Sequence, residues 1–334
     1  MKIGKQSLFY QNPPYIIGYA TVVGKAEGEG PLKNSFDVIN KDSYWGKKTW
    51  EQAESAMQKA AFSLALDKAG LLQSQVDFLF SGDLLNQSIS STFAMRESEI
   101  PYFGIYGACS TMGEGLILAS MNVSTGLAKT AAAITSSHFC TAERQFRFPL
   151  EYGGSRTPTS QKTVTAAGAS IVSQTGHGPQ ITHVTPGKIV DLGITDVSNM
   201  GAAMAPAAYD TIRQHLLDTG RKASDYDLIV TGDLGAVGHK IVKDFFQKDG
   251  LNLTNYQDCG MMIFDMQKQQ VDAGGSGCGA AAAVLNGYLI KELLRKRLKR
   301  ILFCPTGALM SPTSAGQGES IPGICHAVAI SMIN

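Results

Sequence analysis

Two stretches of this 334-residue chain repeat one pattern, and that repetition constrains the fold more than any single motif. In the first, a helical pattern ends at Gly70, an apolar run over 76–80 follows, and Ser81-Gly82-Asp83-Leu84 turns away. In the second, a helix expected over about 207–217 leads through Asp218-Thr219-Gly220 to a run over 226–230 and then Thr231-Gly232-Asp233-Leu234. Asp83 and Asp233 stand 150 residues apart. A second pair comes in the same order. Gly107-Ala108-Cys109-Ser110 opens a small-residue helix to about Leu127, followed by an expected strand at 130–135. Gly277-Cys278-Gly279-Ala280 opens another to about Leu298, followed by 301–304, with Cys109 and Cys278 169 residues apart. Strands alternating with helices give parallel-rich sheets under helical cover. The reading is therefore α/β: two related units packed together, 1–175 and 176–334, with a polar, irregular excursion over 139–162 between the repeated motifs.

The first helix carries its own start signal. Thr49-Trp50-Glu51-Gln52 has the form of a capping box, in which each side chain meets the other residue's backbone N–H. Trp50, Ala53, Met57, Ala60, Ala61, Leu64 and Ala65 then recur at helical spacing.

Composition excludes several functions. With 29 basic and 28 acidic side chains, the chain lacks the surplus of an electrostatic nucleic-acid binder. At 44% hydrophobic residues it has mass for a large core. The weakly polar stretch 274–290 includes Asn286 and falls short of a membrane span of ~20 apolar residues. No apolar run of signal-peptide length opens the sequence, so synthesis in the cytoplasm is expected. The six cysteines form no CxxC pair and read as reduced thiols rather than disulfides or a zinc site. The histidines at 177, 183, 215, 239 and 326 show no metal-ligand spacing.

Several residues are candidates for chemistry. Cys109 at a helix start fits a thiol with a lowered pKa, because unpaired N–H groups and the helix dipole favour thiolate. It could equally line a pocket or be a small buried residue. Ser136, Ser137 and His138 end an expected strand, where α/β ligand sites cluster, or form an ordinary turn. Asp83 and Asp233 could hold a metal or polarise hydroxyls, or cap their own turns. Arg144 and Arg147, near Phe146 and Phe148, could grip an anion or form loop ion pairs. Lys291, Arg295, Lys296, Arg297, Lys299 and Arg300 surround the end of the last long helix, where cations complement the dipole or could meet a membrane or partner.

Two tandem halves with Gly-Ala-Cys opening a buried helix resemble the thiolase and ketoacyl-synthase superfamily. Within it, longer strings resemble the stage V sporulation protein AD family of spore-forming bacteria. These include 81–87 (SGDLLNQ), 107–111 (GACST), 141–147 (TAERQFR), 191–196 (DLGITD), 228–234 (LIVTGDL) and 274–278 (GGSGC). The resemblance implies a thiolase-like five-layer α/β/α/β/α architecture and a homodimer. It implies binding of dipicolinate (pyridine-2,6-dicarboxylate) for uptake into the developing spore. It also implies a peripheral place at the inner spore (forespore) membrane, beside the membrane proteins of the stage V sporulation A operon. No cofactor is expected, and calcium could accompany the ligand as its chelate.

Condensing enzymes need a thiolate and two His, or a His and an Asn, for proton transfer and an oxyanion hole. The superfamily's G-H-x-x-G-A-A pattern is replaced here by Gly275-Ser276-Gly277-Cys278-Gly279-Ala280-Ala281. Where the other His would follow the second-half strand stands Asp233, and His239 comes six residues later, expected on the next helix. Neither Ser276 nor Asp233 is a good general base near neutral pH. The expectation is a non-catalytic binding cleft. Cys109, Ser110 and Thr111 would lie against Ser136, Ser137 and His138 on one side, with Ser276, Gly277 and Cys278 on the other. Backbone N–H groups at Ser110, Thr111, Cys278 and Gly279 would hold carboxylates. The alternatives are an acyltransferase or condensing enzyme using Cys109, and a structural subunit with a vestigial pocket.

Overall fold

The structure, a computed structural model, describes residues 1–146 and 156–332. Five strands form the first half of a large mixed sheet: β1 (Tyr15–Val23), β2 (Phe78–Gly82), β3 (Tyr102–Gly104), β4 (Thr130–Ser137) and β5 (Ala166–Ser173). Five form the second: β6 (Gln180–Thr185), β7 (Leu228–Thr231), β8 (Tyr256–Asp258), β9 (Arg300–Cys304) and β10 (Ala327–Ser331). The spatial orders are β1-β5-β4-β2-β3 and β6-β10-β9-β7-β8, one order used twice. Strands β4, β2 and β3 run parallel, as do β9, β7 and β8. The halves meet where Tyr15 of β1 pairs with Gln180 of β6.

The helices that pack on the sheet are α1 (Trp50–Ala69), α2 (Ile89–Met95), α3 (Thr111–Ser124), α4 (Phe139–Phe146), α5 (Met200–Thr219), α6 (Gly235–Lys248), α7 (Cys278–Val284) and α8 (Ile290–Leu294), with two further short helices at Cys259–Ile263 and Pro312–Gly316. A π-turn, Leu285–Leu289, joins α7 to α8. Side chains alternate along each strand, so each half-sheet has two apolar faces. Leu79, Ala132 and Ile134 pack outward with Met57, Ala61, Phe62 and Ala65 of α1. Ile229, Leu302 and Ala329 pack outward with Ala207, Ala208 and Ile212 of α5 and Val242 of α6. Phe80, Ala131, Val230, Ile301 and Phe303 face inward onto Leu116 and Ile117 of α3 and Ala280–Ala283 of α7. The result is the expected five-layer thiolase-like arrangement. Small residues let α7 approach closely: a Cβ on Gly168 of β5 would lie 2.7 Å from the Ala282 carbonyl oxygen.

The duplication extends to single hydrogen bonds. Gly70 and Gly220 end α1 and α5 at φ 66° and 64°, the left-handed region that glycine tolerates. Asp77, before β2, accepts the N–H groups of Lys129 and Thr130 at 2.6 and 3.1 Å. Asp227, before β7, accepts those of Lys299 and Arg300 at 2.7 and 2.8 Å.

Some local expectations shift. The Thr49 hydroxyl accepts the Gln52 N–H at 3.3 Å, but the Gln52 side chain returns to Lys48 rather than Thr49. Helix α5 starts at Met200, well before 207, and carries Pro206 inside it. The Asn199 side chain caps it on Ala202 at 3.4 Å, and burial of Ala203, Met204 and Ala207 holds the early turns in place. The 139–162 excursion is not irregular throughout: 139–146 is α4, and Lys162-Thr163 pairs with Gly275-Ser276.

Candidate functional site

Cys109 lies just before α3, whose N-cap is Ser110. Ala108, immediately before it, has φ 48°, a conformation a side chain rarely adopts and one that costs on the order of 1–3 kcal/mol. The turn is locked by its own polar groups. The Ser110 and Thr111 N–H groups donate to the carbonyls of Gly107 and Ala108 at 3.0 and 3.3 Å. The Ser110 and Thr111 hydroxyls donate to the same two carbonyls at 2.7 and 2.6 Å.

The second half brings Asp233 and Ser276 to this cysteine. The Cys109 thiol lies 4.0 Å from the Ser276 hydroxyl and also reaches the Asp233 carboxylate. Ser276 donates to Asp233 Oδ2 at 2.9 Å, and the Gly277 N–H donates to the same oxygen at 2.9 Å. Thr306 donates to Oδ1 at 3.0 Å. Thus the residues at both expected imidazole positions meet Cys109, and Asp233 is the hub that holds them.

That hub inverts the expected electrostatics of the thiol. A lowered pKa was anticipated from the helix start; instead burial pushes the Cys109 thiol well above its usual range, and the negative charge of Asp233 adds to it. Cys109 also precedes the N-cap rather than occupying the first turn, so the dipole acts on it weakly. Burial pushes Asp233 up to about 6, against hydrogen bonds from Cys109, Gly277 and Ser276. A carboxylate beside a thiol resists the second negative charge that a thiolate would add.

The other candidates divide. Cys278, fully buried, donates its thiol to the Ser136 carbonyl at 2.9 Å. Ser137 donates to the Val164 carbonyl at 2.7 Å and accepts the Gly279 N–H at 3.1 Å. Ser136 donates to Glu54 at 2.8 Å and accepts from Gln58 at 2.7 Å. These groups knit the halves together behind the cleft. Leu84, Cys109, Ala142 and Cys278 form a small buried cluster, with Phe146 of α4 against it. His138 turns elsewhere: its Nε2 meets the Ser43 carbonyl at 2.8 Å and its Nδ1 accepts the Cys140 N–H at 3.2 Å. Arg144 forms an ion pair with Glu51 and lies 5.6 Å over the Trp50 ring, away from Cys109. Arg147 lies outside the described residues. His239 sits on α6, stacked on Tyr256 with ring centroids 4.4 Å apart. Around the last helix, Lys291 pairs with Asp37 at 3.0 Å, and Arg295 and Arg297 both pair with Glu292. No group of three metal-ligating side chains occurs among the described residues, and no helix there is long and apolar enough to cross a membrane.

Sequence reading missed the polar network behind β2 and β4. Glu54 and Gln58 of α1 are buried among Ser81, Ser91, Ser136 and Thr141. Burial, then the charge of Asp83, pushes Glu54 up to about 8, so it is protonated at neutral pH. Two polar residues four apart on the apolar face of α1 were the available signal. Thr306 and Asp258 were also missed, since each acts through a contact distant in sequence.

Comparison with known proteins fits this geometry. The family model described as Stage V sporulation protein AD matches residues 4–331. Stage V sporulation protein AD of Bacillus subtilis (strain 168) is 46% identical over 326 residues, covering 97% of this chain and 96% of that protein. Among solved structures, 3-oxoacyl-[acyl-carrier-protein] synthase III of Aquifex aeolicus is similar with a TM-score of 0.57 and 14% identity, covering 95% and 99% of the two chains. Cerulenin-bound OleA of Xanthomonas campestris gives a TM-score of 0.61 at 14% identity, covering 97% and 98%.

Proposed function

We propose a function from one premise: the chain belongs to the stage V sporulation protein AD family. The protein is a sporulation protein with a condensing-enzyme fold, and on our reading it uses that fold to bind rather than to react. It takes up dipicolinate, free or as the calcium chelate, and delivers it to a membrane channel complex of the forming spore. It works as a homodimer lying peripherally on the forespore membrane.

One observation carries the non-catalytic part. The side chain at the position of a proton-shuttling imidazole is a buried carboxylate, Asp233, which raises the thiol it touches. Claisen chemistry needs a thiolate, a proton carrier and donors for an oxyanion. Here Cys109 is held as a thiol, Ser276 is tied to Asp233, and the N–H groups of Ser110 and Thr111 are bonded within their own turn. Each lost proton-transfer group typically removes ~10²–10⁴ in rate.

Two measurements test the reading. Titration calorimetry of the full chain with dipicolinate, with and without calcium, should show saturable binding. Incubation with acyl-CoA followed by intact-mass spectrometry should show no acyl adduct. A thioester on Cys109 that turns over would establish the acyltransferase instead. Absence of any small-molecule binding, with retained association to the membrane complex, would make the protein a structural subunit.

A further inference from the structure

The inner helices of the two halves end in the same turn, but the two copies differ in charge. After α3, Gly126 donates its N–H to the Val123 carbonyl at 3.1 Å, and Leu127 and Ala128 donate to the Asn122 carbonyl at 3.0 and 3.2 Å. After α8, Lys296 donates to the Leu293 carbonyl at 3.0 Å, and Arg297 and Leu298 donate to the Glu292 carbonyl at 3.0 and 3.2 Å. Such a turn needs a left-handed residue, and Gly126 supplies it at φ 77° without strain. The second copy has Lys296 there, at φ 59°. A side chain in that region costs stability that glycine does not.

The first turn, 125–129, carries one cation; the second, 295–299, carries four. A helix C-terminus is equivalent to about half a negative charge, so four cations exceed what it can complement. Arg295 and Arg297 share one partner, Glu292, at 3.0 and 3.3 Å. Lys296 and Lys299 are exposed and form no ion pair among the described residues. The nearby acids are engaged elsewhere: Asp227 accepts the N–H groups of Lys299 and Arg300, and Asp225 accepts that of Lys222. Both turns lie at the pole away from Cys109, since α3 and the α7–α8 run begin at that cleft and extend ~20–25 Å from it. Thr130 and Arg300, which follow the two turns, share one row of the sheet. Thr130 pairs with Ser173, Ser173 with Tyr15, Tyr15 with Gln180, Gln180 with Ser331, and Ser331 with Arg300. Five strand spacings of ~4.8 Å put the two within ~24 Å. Leu127, 72% exposed, adds an apolar side chain at this pole, and Leu294 is exposed beside the cations.

We propose that this pole rests on an anionic lipid surface, with Arg295, Lys296, Arg297 and Lys299 over the headgroups and Leu127 and Leu294 against them. The inference rests on the membrane part of the function proposed above and assigns it a face. Unpaired lysines on an exposed turn, with isolated leucines, suit a fluid layer of phosphates, which imposes no fixed geometry. The centre of a protein–protein interface is typically aromatic or apolar, whereas residues 291–300 hold no aromatic side chain. The near-neutral net charge argues against nucleic acid. With this pole on the lipid, the Cys109 cleft faces away from it and stays open to solution. Each basic residue near such a surface adds about fivefold to the partitioning. The strained lysine at position 296 then has a reason: the second copy gives up an easy turn to place one more charge on the contact face.

Co-sedimentation of the full chain with vesicles tests this. One arm uses equal parts of phosphatidylglycerol and phosphatidylcholine, a second phosphatidylcholine alone, and a third membranes isolated from forming spores. Wild type should bind the phosphatidylglycerol vesicles, ignore pure phosphatidylcholine and come off in about 0.5 M salt, where charges are screened beyond ~4 Å. Lys296→Gly/Lys299→Ala should weaken vesicle binding by about twentyfold. Both positions are exposed and glycine relieves the left-handed turn, so this variant should melt no lower than wild type. Lys47→Ala/Lys48→Ala removes two exposed charges just before α1, at the cleft end, and should bind as wild type. If Lys296→Gly/Lys299→Ala binds lipid as wild type does, another face meets the membrane and the assignment is overturned. Equal losses in both double variants would overturn it too, since total charge and not this face would govern binding. Wild type that sediments with spore membranes but not with lipid vesicles is held by a protein, which overturns the lipid contact and leaves the membrane reading standing. Sedimentation with neither removes the membrane reading itself.

Discussion

In the first half, the carboxylate of Asp83 is turned onto its own chain. Its Oδ1 accepts the Leu85 N–H at 2.8 Å, and its Oδ2 accepts the N–H and hydroxyl of Ser91 at 2.8 and 2.7 Å. In the second half, the corresponding turn after β7 is held from outside. Asp258, at the end of β8, accepts the N–H groups of Leu234 and Gly235 at 2.9 and 3.0 Å and the Thr231 hydroxyl at 2.7 Å. Asp233 is thereby released from capping and points at Cys109, Ser276 and Thr306. The halves differ again one layer out. Positions 54 and 58 of α1 are Glu and Gln, joined in a buried polar network; the positions 150 residues on, in α5, are Met204 and Ala208, packed in an apolar core. Within one duplicated fold, the turn after β7 takes its cap from a neighbouring strand and frees the Asp233 carboxylate, while Asp83 remains the cap of its own turn.

The largest expected effect tests that division. Asp83→Ala and Asp258→Ala each strip a buried acceptor from at least two N–H groups and a hydroxyl, and an orphaned buried donor costs ~1–3 kcal/mol. Each should lower unfolding stability by roughly 3–5 kcal/mol in denaturant titration. Asp233→Asn keeps an isosteric acceptor and should cost under about 2 kcal/mol. Equal losses in all three would erase the distinction between cap and site.

A smaller effect separates the two helix faces. Glu54 is pushed up to about 8 in the folded state, so the native protein binds its proton more tightly than the unfolded chain does. Stability should therefore fall as pH rises from about 4.5 towards 8 and level off above, because folding then requires an ionised or newly protonated buried acid. Asp233 and Glu27 add to the fall over its lower part, since they are pushed to about 6 and about 7. Glu54→Gln keeps the hydrogen-bonding shape and should flatten the upper part of the profile, read as thermal midpoint against pH. A profile unchanged by the substitution would mean that Glu54 does not change its proton on unfolding.

The sequence made the scaffold legible because repetition is local. The glycine ends of α1 and α5, the Asp-Leu turns and the Gly-Cys openings of the inner helices can each be found within a few residues. The resemblance also marked positions 233 and 276 as departures, and both do meet Cys109. What the sequence hid depends on long-range packing. Nothing near residue 258 says that its carboxylate caps a turn 24 residues earlier, so the sequence left Asp233 open between capping its own turn, holding a metal and polarising neighbouring hydroxyls, and the structure shows the hydroxyls of Ser276 and Thr306 on it. The helix start at Cys109 suggested a lowered pKa, since the opposing charge arrives from 124 residues away.

Another contrast between the halves concerns reactivity. If Asp233 is what suppresses Cys109, Asp233→Asn removes the charge while keeping the hydrogen-bonding shape. One pKa unit corresponds to 1.36 kcal/mol, and alkylation of Cys109 by iodoacetamide at pH 8 should accelerate by about tenfold. Peptide mapping must assign the label, because Cys140 is less buried than Cys109 and reacts independently. Asp83→Asn serves as the matched control, since its carboxylate is turned onto Leu85 and Ser91 and should leave the Cys109 rate unchanged within about twofold. Faster labelling in both variants would trace the change to a loosened cleft. A wild-type Cys109 that alkylates with the pKa of a free thiol, ~8.5, would show that the carboxylate does not govern it.

The smallest effect is a predicted silence. His239 is the histidine nearest in sequence to Asp233 and the natural candidate for a displaced base. Its ring is stacked on Tyr256, and its Nε2 lies 3.4 Å from the Tyr256 carbonyl, on the α6 side of β8. Burial holds it below the ordinary histidine range, so it stays neutral at physiological pH. His239→Ala should cost about 0.5–1.5 kcal/mol of stability from the lost ring contact and leave dipicolinate affinity within twofold. Were this substitution to change ligand affinity or Cys109 labelling, α6 would have to be counted as part of the site, and the second half would hold two displaced polar groups rather than one.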